Sequence, residues 1–422
     1  MIRQLNAIMR KTLKSVSTVG LGLLAAICFA TGTTAEEWSG EIGLESRVYQ
    51  HSGPQGQSKL HPSVRVEAEY YNDWNDGRDS FTFSPMAVFD VQDGDRTHWT
   101  IGELAWIHVD DNWELRTGIR TVFWGVTETR HLVDIINQTD LVMDVDGEDK
   151  IGQPMINLSF ERSWGTLDLF LMSIFEERTF PGADGRLRGP LVVDTDNALF
   201  ESSNKKHRLE GAVRWHQYYG DFDIAVSHFS GNGREPVYLL NGTVLTPVYP
   251  VIDQTGLELQ YIYEGWALKL EAISHYGSAG RYGATVFGFE HTLTGIYDSR
   301  VDLGWVVEYS YDGRGDATPP GVLEHDLTIA TRWMLNDVDA SELLTGVVLD
   351  ERSQEWVFFF EGSRRLGEYW KLVLESQIFM GGDPLPQDLP SVLAQLGSLD
   401  PDNKLGYLQN EDFVKIEVIR YF

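Results

Sequence analysis

The chain has 422 residues, with 34 Lys and Arg against 63 Asp and Glu and a formal charge of −29. So acidic a chain is a poor partner for nucleic acid or an anionic membrane surface. Mean hydropathy is −0.24, and no apolar run after the first 35 residues approaches the roughly 18 residues of a spanning helix, which excludes a helical membrane protein.

Residues 1–35 differ from everything after them. Arg3, Arg10, Lys11 and Lys14 precede the apolar stretch 19–30, and small residues follow as far as Thr33, Thr34 and Ala35. A basic n-region, a short apolar stretch and small residues before the cut make a cleaved secretory signal peptide, with the mature domain spanning 36–422. An N-terminal anchor is the alternative, but the apolar stretch is shorter than the roughly 20 residues such a helix needs. Cys28 is the single cysteine, and the preceding Ile27 does not suit a lipoprotein signal. The mature chain therefore has no disulfide and no thiolate site. It keeps 30 Lys and Arg against the same 63 acids, a charge of −33.

Period-2 alternation begins at once. Trp38, Ile42, Leu44 and Val48 alternate with Glu41, Glu45 and Arg47; Val64, Val66 and Ala68 with Arg65, Glu67 and Glu69; Trp113, Leu115, Ile119 and Phe123 with Glu114, Arg116 and Arg120. The pattern returns at Leu209–Trp215, Leu257–Tyr261, Trp266–Glu271, Val301–Tyr309, Leu327–Trp333 and Trp370–Glu375. Such segments are strands with one apolar and one polar face. A large soluble β-protein would bury the apolar face, but no solenoid or propeller period is visible. Trp38, Trp99, Trp113, Trp266, Trp356 and Trp370 also stand at strand ends, where a membrane barrel carries its aromatic girdles.

The connections alternate in length. Short ones fall at 110–112, 163–164, 218–221, 263–265 and 364–368, and long ones near 125–150, 176–206, 231–255, 312–324 and 380–409. Tight turns on one side and long loops on the other fit an all-β, transmembrane, antiparallel up-and-down barrel of about 18 strands, with 16 as the alternative. Lipid admits only sheets without free edges, so the barrel must close.

The last ten residues, FVKIEVIRYF, put Val414, Ile416, Val418 and Phe422 on one face and Lys415 and Glu417 on the other; Arg420 interrupts the apolar face. This resembles the terminal strand of Gram-negative outer-membrane barrels. In size and loop layout the chain resembles the porins, without matching any substrate-specific family. The resemblance implies an outer-membrane location and insertion by the barrel-assembly machinery, with Phe422 as the assembly signal. It also implies contact with outer-membrane lipid and lipopolysaccharide, and passage of small solutes, with further copies of the same chain an open alternative.

Segment 125–150 is then the third external loop, which folds inward in classical porins. It holds Leu132, Val133, Ile135, Ile136, Leu141 and Val142, too apolar for a solvated tip. The spacing of Leu132, Ile135 and Ile136 predicts a short helix on the inner wall, offering Glu128, Arg130, His131, Asp134 and Asp140 to the channel. Packing outside the barrel is the alternative. Arg65, Arg116, Arg120, Arg208 and Arg214 are expected to line the pore, because a basic residue facing lipid costs about 2–4 kcal/mol at midplane. In the bland reading these arginines only pair with neighbouring acids such as Glu67, Glu114 and Glu210.

Residues 144–149 resemble half of a calcium loop but lack its ligand spacing, 91–96 less so, and the 11 His form no paired ligand motif. No metal or cofactor is expected. No nucleophile-elbow motif suggests a barrel enzyme. The leading expectation is a porin-like channel for passive diffusion of small hydrophilic solutes. The alternatives are a plugged, hydrophobic-solute or partner-binding barrel, with 380–409 as the plug, and then an outer-membrane barrel enzyme.

Overall fold

The computed structural model describes residues 37–278, 280–315, 324–386, 388–395, 398, 400 and 402–422. The expected signal peptide at 1–35 lies outside the described residues. Eighteen strands form one antiparallel sheet. The first nine are β1 (Glu37–Tyr49), β2 (Leu60–Trp74), β3 (Asp79–Asp90), β4 (His98–Asp110), β5 (Trp113–Arg120), β6 (Gln153–Arg162), β7 (Gly165–Met172), β8 (Glu210–Tyr219) and β9 (Phe222–Asn232). Then follow β10 (Val251–Tyr263), β11 (Trp266–Gly277), β12 (Gly280–Leu293), β13 (Asp302–Asp312), β14 (His325–Met334), β15 (Glu342–Asp350), β16 (Trp356–Arg365), β17 (Trp370–Met380) and β18 (Phe413–Tyr421).

Each strand pairs with its chain neighbours, and β18 returns to β1 from Glu41↔Tyr421 to Tyr49↔Phe413. Phe422 extends the seam through two backbone bonds with Gly40, of 3.1 and 3.0 Å. The sheet has no free edge, so every spanning backbone group finds a partner without water. This settles the strand number at 18 rather than 16.

The turns follow local chemistry. Between β10 and β11 a two-residue loop puts Glu264 and Gly265 at φ of 46° and 83°, the paired positive values of a type I′ hairpin. Pro85 falls where the β3–β4 register shifts, a bulge that tolerates its missing N–H. The expected parity of short and long connections fails in places. The external connection from Gly277 to Gly280 is two residues, while the opposite turns at 294–301 and 335–341 are long.

Register divides the wall into two faces. Glu41, Glu45 and Arg47 of β1 share one with Arg65 and Glu67 of β2 and with Lys415 and Glu417 of β18. The other carries Leu44, Trp99 and Leu209, exposed by 56%, 74% and 61%. Among the described residues nothing covers this apolar belt, as expected of a surface that faces lipid.

The charged face is broken by an apolar patch. Met155, Phe170, Met172, Phe229, Ile273, Ala284 and Val286 point inward from β6 to β12, and Trp124, Leu132, Val133 and Ile136 of the third loop pack on them. A second cluster, Tyr49, Leu187, Phe379, Leu405 and Phe413, lies at the external mouth. It draws on the ninth external loop (381–412), which carries the one α-helix among the described residues, α1 (Leu389–Gln395), and its Leu405 and Leu408 cap the mouth.

Candidate functional site

The third external loop runs from Thr121 to Gly152 and lies inside the barrel. The strand before it ends at Arg120 rather than continuing to Phe123, and Trp124 is buried beneath the loop. The predicted helix at Leu132–Ile136 is absent. Within that segment the Val133 N–H is taken by a wall carboxylate, and the N–H groups just before it are held in the same way. The Glu271 carboxylate accepts the N–H groups of Val126, Thr127 and Val133 and the Thr127 hydroxyl, at 2.7–3.2 Å. Glu308 accepts the N–H groups of Glu128 and Thr129 and the Thr129 hydroxyl, at 2.7–2.9 Å. Both carboxylates are almost fully buried. The only regular structure in the loop is a two-residue ladder, Gln138–Thr139 with Lys150–Ile151.

The loop crosses the lumen in two directions. Its first arm pairs Arg130 with Asp312 of β13 at 2.7 Å, and Glu128 with Lys269 of β11 and Arg332 of β14 at 2.8 Å each. Burial opposes ionisation of Glu128, but Lys269 and Arg332 overcome it and hold the carboxyl down at about 2. The second arm reaches β1 and β18, where Asp144 meets Arg47 at 2.9 Å and Lys415 at 3.5 Å. Arg96 clamps it further by donating to the Val142 carbonyl at 2.8 Å. Between these arms Glu361 of β16 stays exposed and Glu375 of β17 part-exposed, while Val357 and Phe379 nearer the mouth pack with Val145 and Leu405.

A cleft of about 230 Å³ lies here, between Met143–Asp149 and Phe360, Glu361, Glu375 and Gln377. Seven carboxylates line it, Glu45, Asp144, Asp146, Asp149, Glu361, Glu375 and Glu417, against Arg65 and Lys415. Asp146, Asp149 and Glu361 have no ion-pair partner among the described residues. Enclosure by the wall, and then the neighbouring Asp144, push the Asp146 carboxyl up to about 7 and that of Asp149 to about 6.

The sequence-predicted residues fall in several environments. Arg65 faces the cleft, bound to Glu41, Glu67 and Glu417. Arg116 is forked onto Glu114 at 2.5 and 2.6 Å and shares Asn157 with Arg120, which also meets Glu103. Arg214 is forked onto Glu258 at 2.9 and 2.7 Å. These three inward arginines lie on β5 and β8, away from the cleft. Arg208 precedes β8 and stands outside the strand. Asp134 and Asp140 are buried inside the folded loop, Asp134 on Lys150 at 3.1 Å and Asp140 on Thr179 and His98. Burial raises the Asp134 carboxyl despite Lys150.

Period-two alternation also puts Glu271, Glu308, Glu361, Glu375 and Lys415 on the inner face, but alternation carries no sign of what each one binds. The one available signal was the apolar interruption of inward positions at Phe170 and Phe229, which marks where the loop seats.

A closed 18-stranded barrel with an exposed apolar belt and a charged lumen narrowed by its third loop has the porin fold. No protein-family model matches the sequence, and no curated protein matches it. Among solved structures the chain is similar to a BenF-like porin from Pseudomonas fluorescens Pf-5, at 10% identity, covering 93% of this chain and 99% of that one, with a TM-score of 0.51. An engineered variant of the Rh. blastica porin aligns at 9% identity over 92% and 100% of the two chains, with a TM-score of 0.43. At such identity the likeness is one of fold.

Proposed function

We propose that the protein is an outer-membrane channel for passive diffusion of small hydrophilic solutes, with a preference for cations. The observation that carries this reading is the polar cleft in which Glu361 of β16 and Glu375 of β17 face Asp144, Asp146 and Asp149 of the third loop. Fixed charge on both sides of a narrow aqueous route concentrates counter-ions. The preference is modest in salt, since a lumen charge acts over about 8–10 Å at 0.1–0.15 M. The arginines of β5 and β8 temper it little, because their own carboxylate partners neutralise them.

The reading assigns the protein no catalytic step. It includes contact with lipid and lipopolysaccharide at the apolar belt, and insertion by the barrel-assembly machinery through β18 and Phe422. A plugged barrel is the second reading, favoured by the apolar cluster at the mouth. Single-channel recording decides between them: a stable conductance with a cation-positive reversal potential across a KCl gradient supports the first. Absence of conductance supports the second.

A further inference from the structure

The fourth external loop (173–209) leaves the wall between β7 and β8, yet its middle is bound on the far side of the mouth. Leu187 packs on Tyr49 of β1, Phe379 of β17 and Phe413 of β18, together with Leu405. β17 is nine strands from β8 in a ring of eighteen, so the segment spans the full diameter. We propose that Gly185–Gly189 is a fixed bar across the external mouth, an outer size filter ahead of the third-loop constriction, with Arg186 as its positioning residue. This rests on the channel reading.

Arg186 is almost fully buried, its side chain 1% exposed. Its guanidinium donates to Glu411 at 2.7 Å and to the carbonyls of His51, Ser58 and Asn410, and lies 3.9 Å from the centre of the Tyr49 ring. One side chain thereby joins the first, fourth and ninth loops. Only a planar fork both stacks on a ring and spreads its donors over several acceptors; an ammonium does not.

The bar is pinned at its shoulders as well. Asp93 of the second loop accepts the Gly182 N–H, and Gln57 and Gln55 of the first loop donate to the carbonyls of Ala183 and Pro190. Leu187 sits at φ 56°, a conformation that persists only where surroundings over-determine it. Cavities of about 600 and 260 Å³ adjoin the bar among the described residues, one bordered by Pro190 and Val244 and the other by Arg188 and Tyr407.

The test uses the mature protein, its folding checked by heat-modifiable migration. Arg186→Met should free the bar, so liposomes swell several-fold faster with a trisaccharide relative to a monosaccharide, and single-channel conductance rises about twofold. Arg186→Lys should fall between, and the reversal potential set by the third loop should stay unchanged. A folded Arg186→Met with parental swelling and conductance overturns the filter. Should Arg186→Met fail to assemble, Glu411→Gln is read in the same assays.

A Leu187→Cys probe reads the bar without any conductance. It should react slowly with a membrane-impermeant maleimide, and at least tenfold faster when Arg186→Met is added. Equal slow rates show that Arg186 does not hold the bar. A parent that conducts nothing defeats the channel reading alone and leaves the labelling rates to decide the bar.

Discussion

The carboxylate of Glu271, on β11, accepts the backbone N–H of Thr127 at 3.0 Å and that of Val133 at 3.2 Å. One wall side chain thus holds two points of the third loop, six residues apart, where the spacing of Leu132, Ile135 and Ile136 predicts a helix. A hydrogen bond to a charged group contributes about 1.5–3 kcal/mol, and an unpaired buried N–H costs a similar amount. Glu271→Ala should therefore release the first arm while the barrel stays closed. The expected outcome is larger, noisier single-channel conductance and faster proteolysis within 121–152; a parental trace would show that the loop stays in place without this grip.

The second arm depends on Arg47 and Asp144, a pair with side chains 8% and 7% exposed. Removing one member leaves a largely buried charge without its main partner, at a cost of up to about 3–5 kcal/mol. Arg47→Leu should lower the temperature at which the barrel loses its fast gel migration. Arg47→Leu with Asp144→Leu should recover most of the loss, because the apolar pair avoids the stranded carboxylate. Recovery no better than the single variant would mean that Lys415 and Arg96 carry the arm.

Lowering pH should weaken cation preference between about 7 and 6, where Asp146 and Asp149 take up protons. Both bind protons more tightly in the folded loop than in an open chain. Their ionisation therefore opposes folding: the stabilising effect is full below the ordinary carboxylate range and is lost as pH rises through about 6 and about 7. Reversal potentials at pH 8 and pH 5 measure the first effect, and thermal stability of the barrel over the same range measures the second. Asp146→Asn should remove the upper part of both profiles.

Glu361→Gln should lower cation preference, because Glu361 faces the cleft without an ion-pair partner. Arg116→Ala and Arg120→Ala should raise it slightly, by leaving Glu114 and Glu103 unneutralised. These opposite signs test where the solute passes. Clear anion preference in the parent would instead place the controlling charge on the arginines of β5.

A Cβ added at Gly40 would lie 2.7 Å from the Phe422 ring and 2.8 Å from the Glu67 carbonyl. Gly40→Val should therefore reduce the heat-modifiable fraction recovered from membranes, and deleting Phe422, which removes two seam hydrogen bonds, should do the same. Phe422→Leu keeps the backbone bonds; full assembly of that variant would assign the effect to the seam rather than to recognition of the aromatic ring.

The sequence by itself determined the barrel. Alternation of period two, aromatic strand ends and tight turns are local, and lipid imposes the same rule on every strand, so Arg65, Glu271 and Glu308 are legible as inward residues one strand at a time. Only the tertiary structure decided what they do there. Glu271 and Glu308 grip a loop that begins more than 140 residues earlier, and Asp134 and Asp140 are sequestered by that same folding. Arg116, Arg120 and Arg214 find carboxylate partners on their own strand or at most two strands away and leave the acidic cleft to Glu361 and Asp146. The reason is geometric: parity says which face a side chain takes. Which charges meet across the lumen depends on the path of loops whose backbone polar groups the wall itself must satisfy.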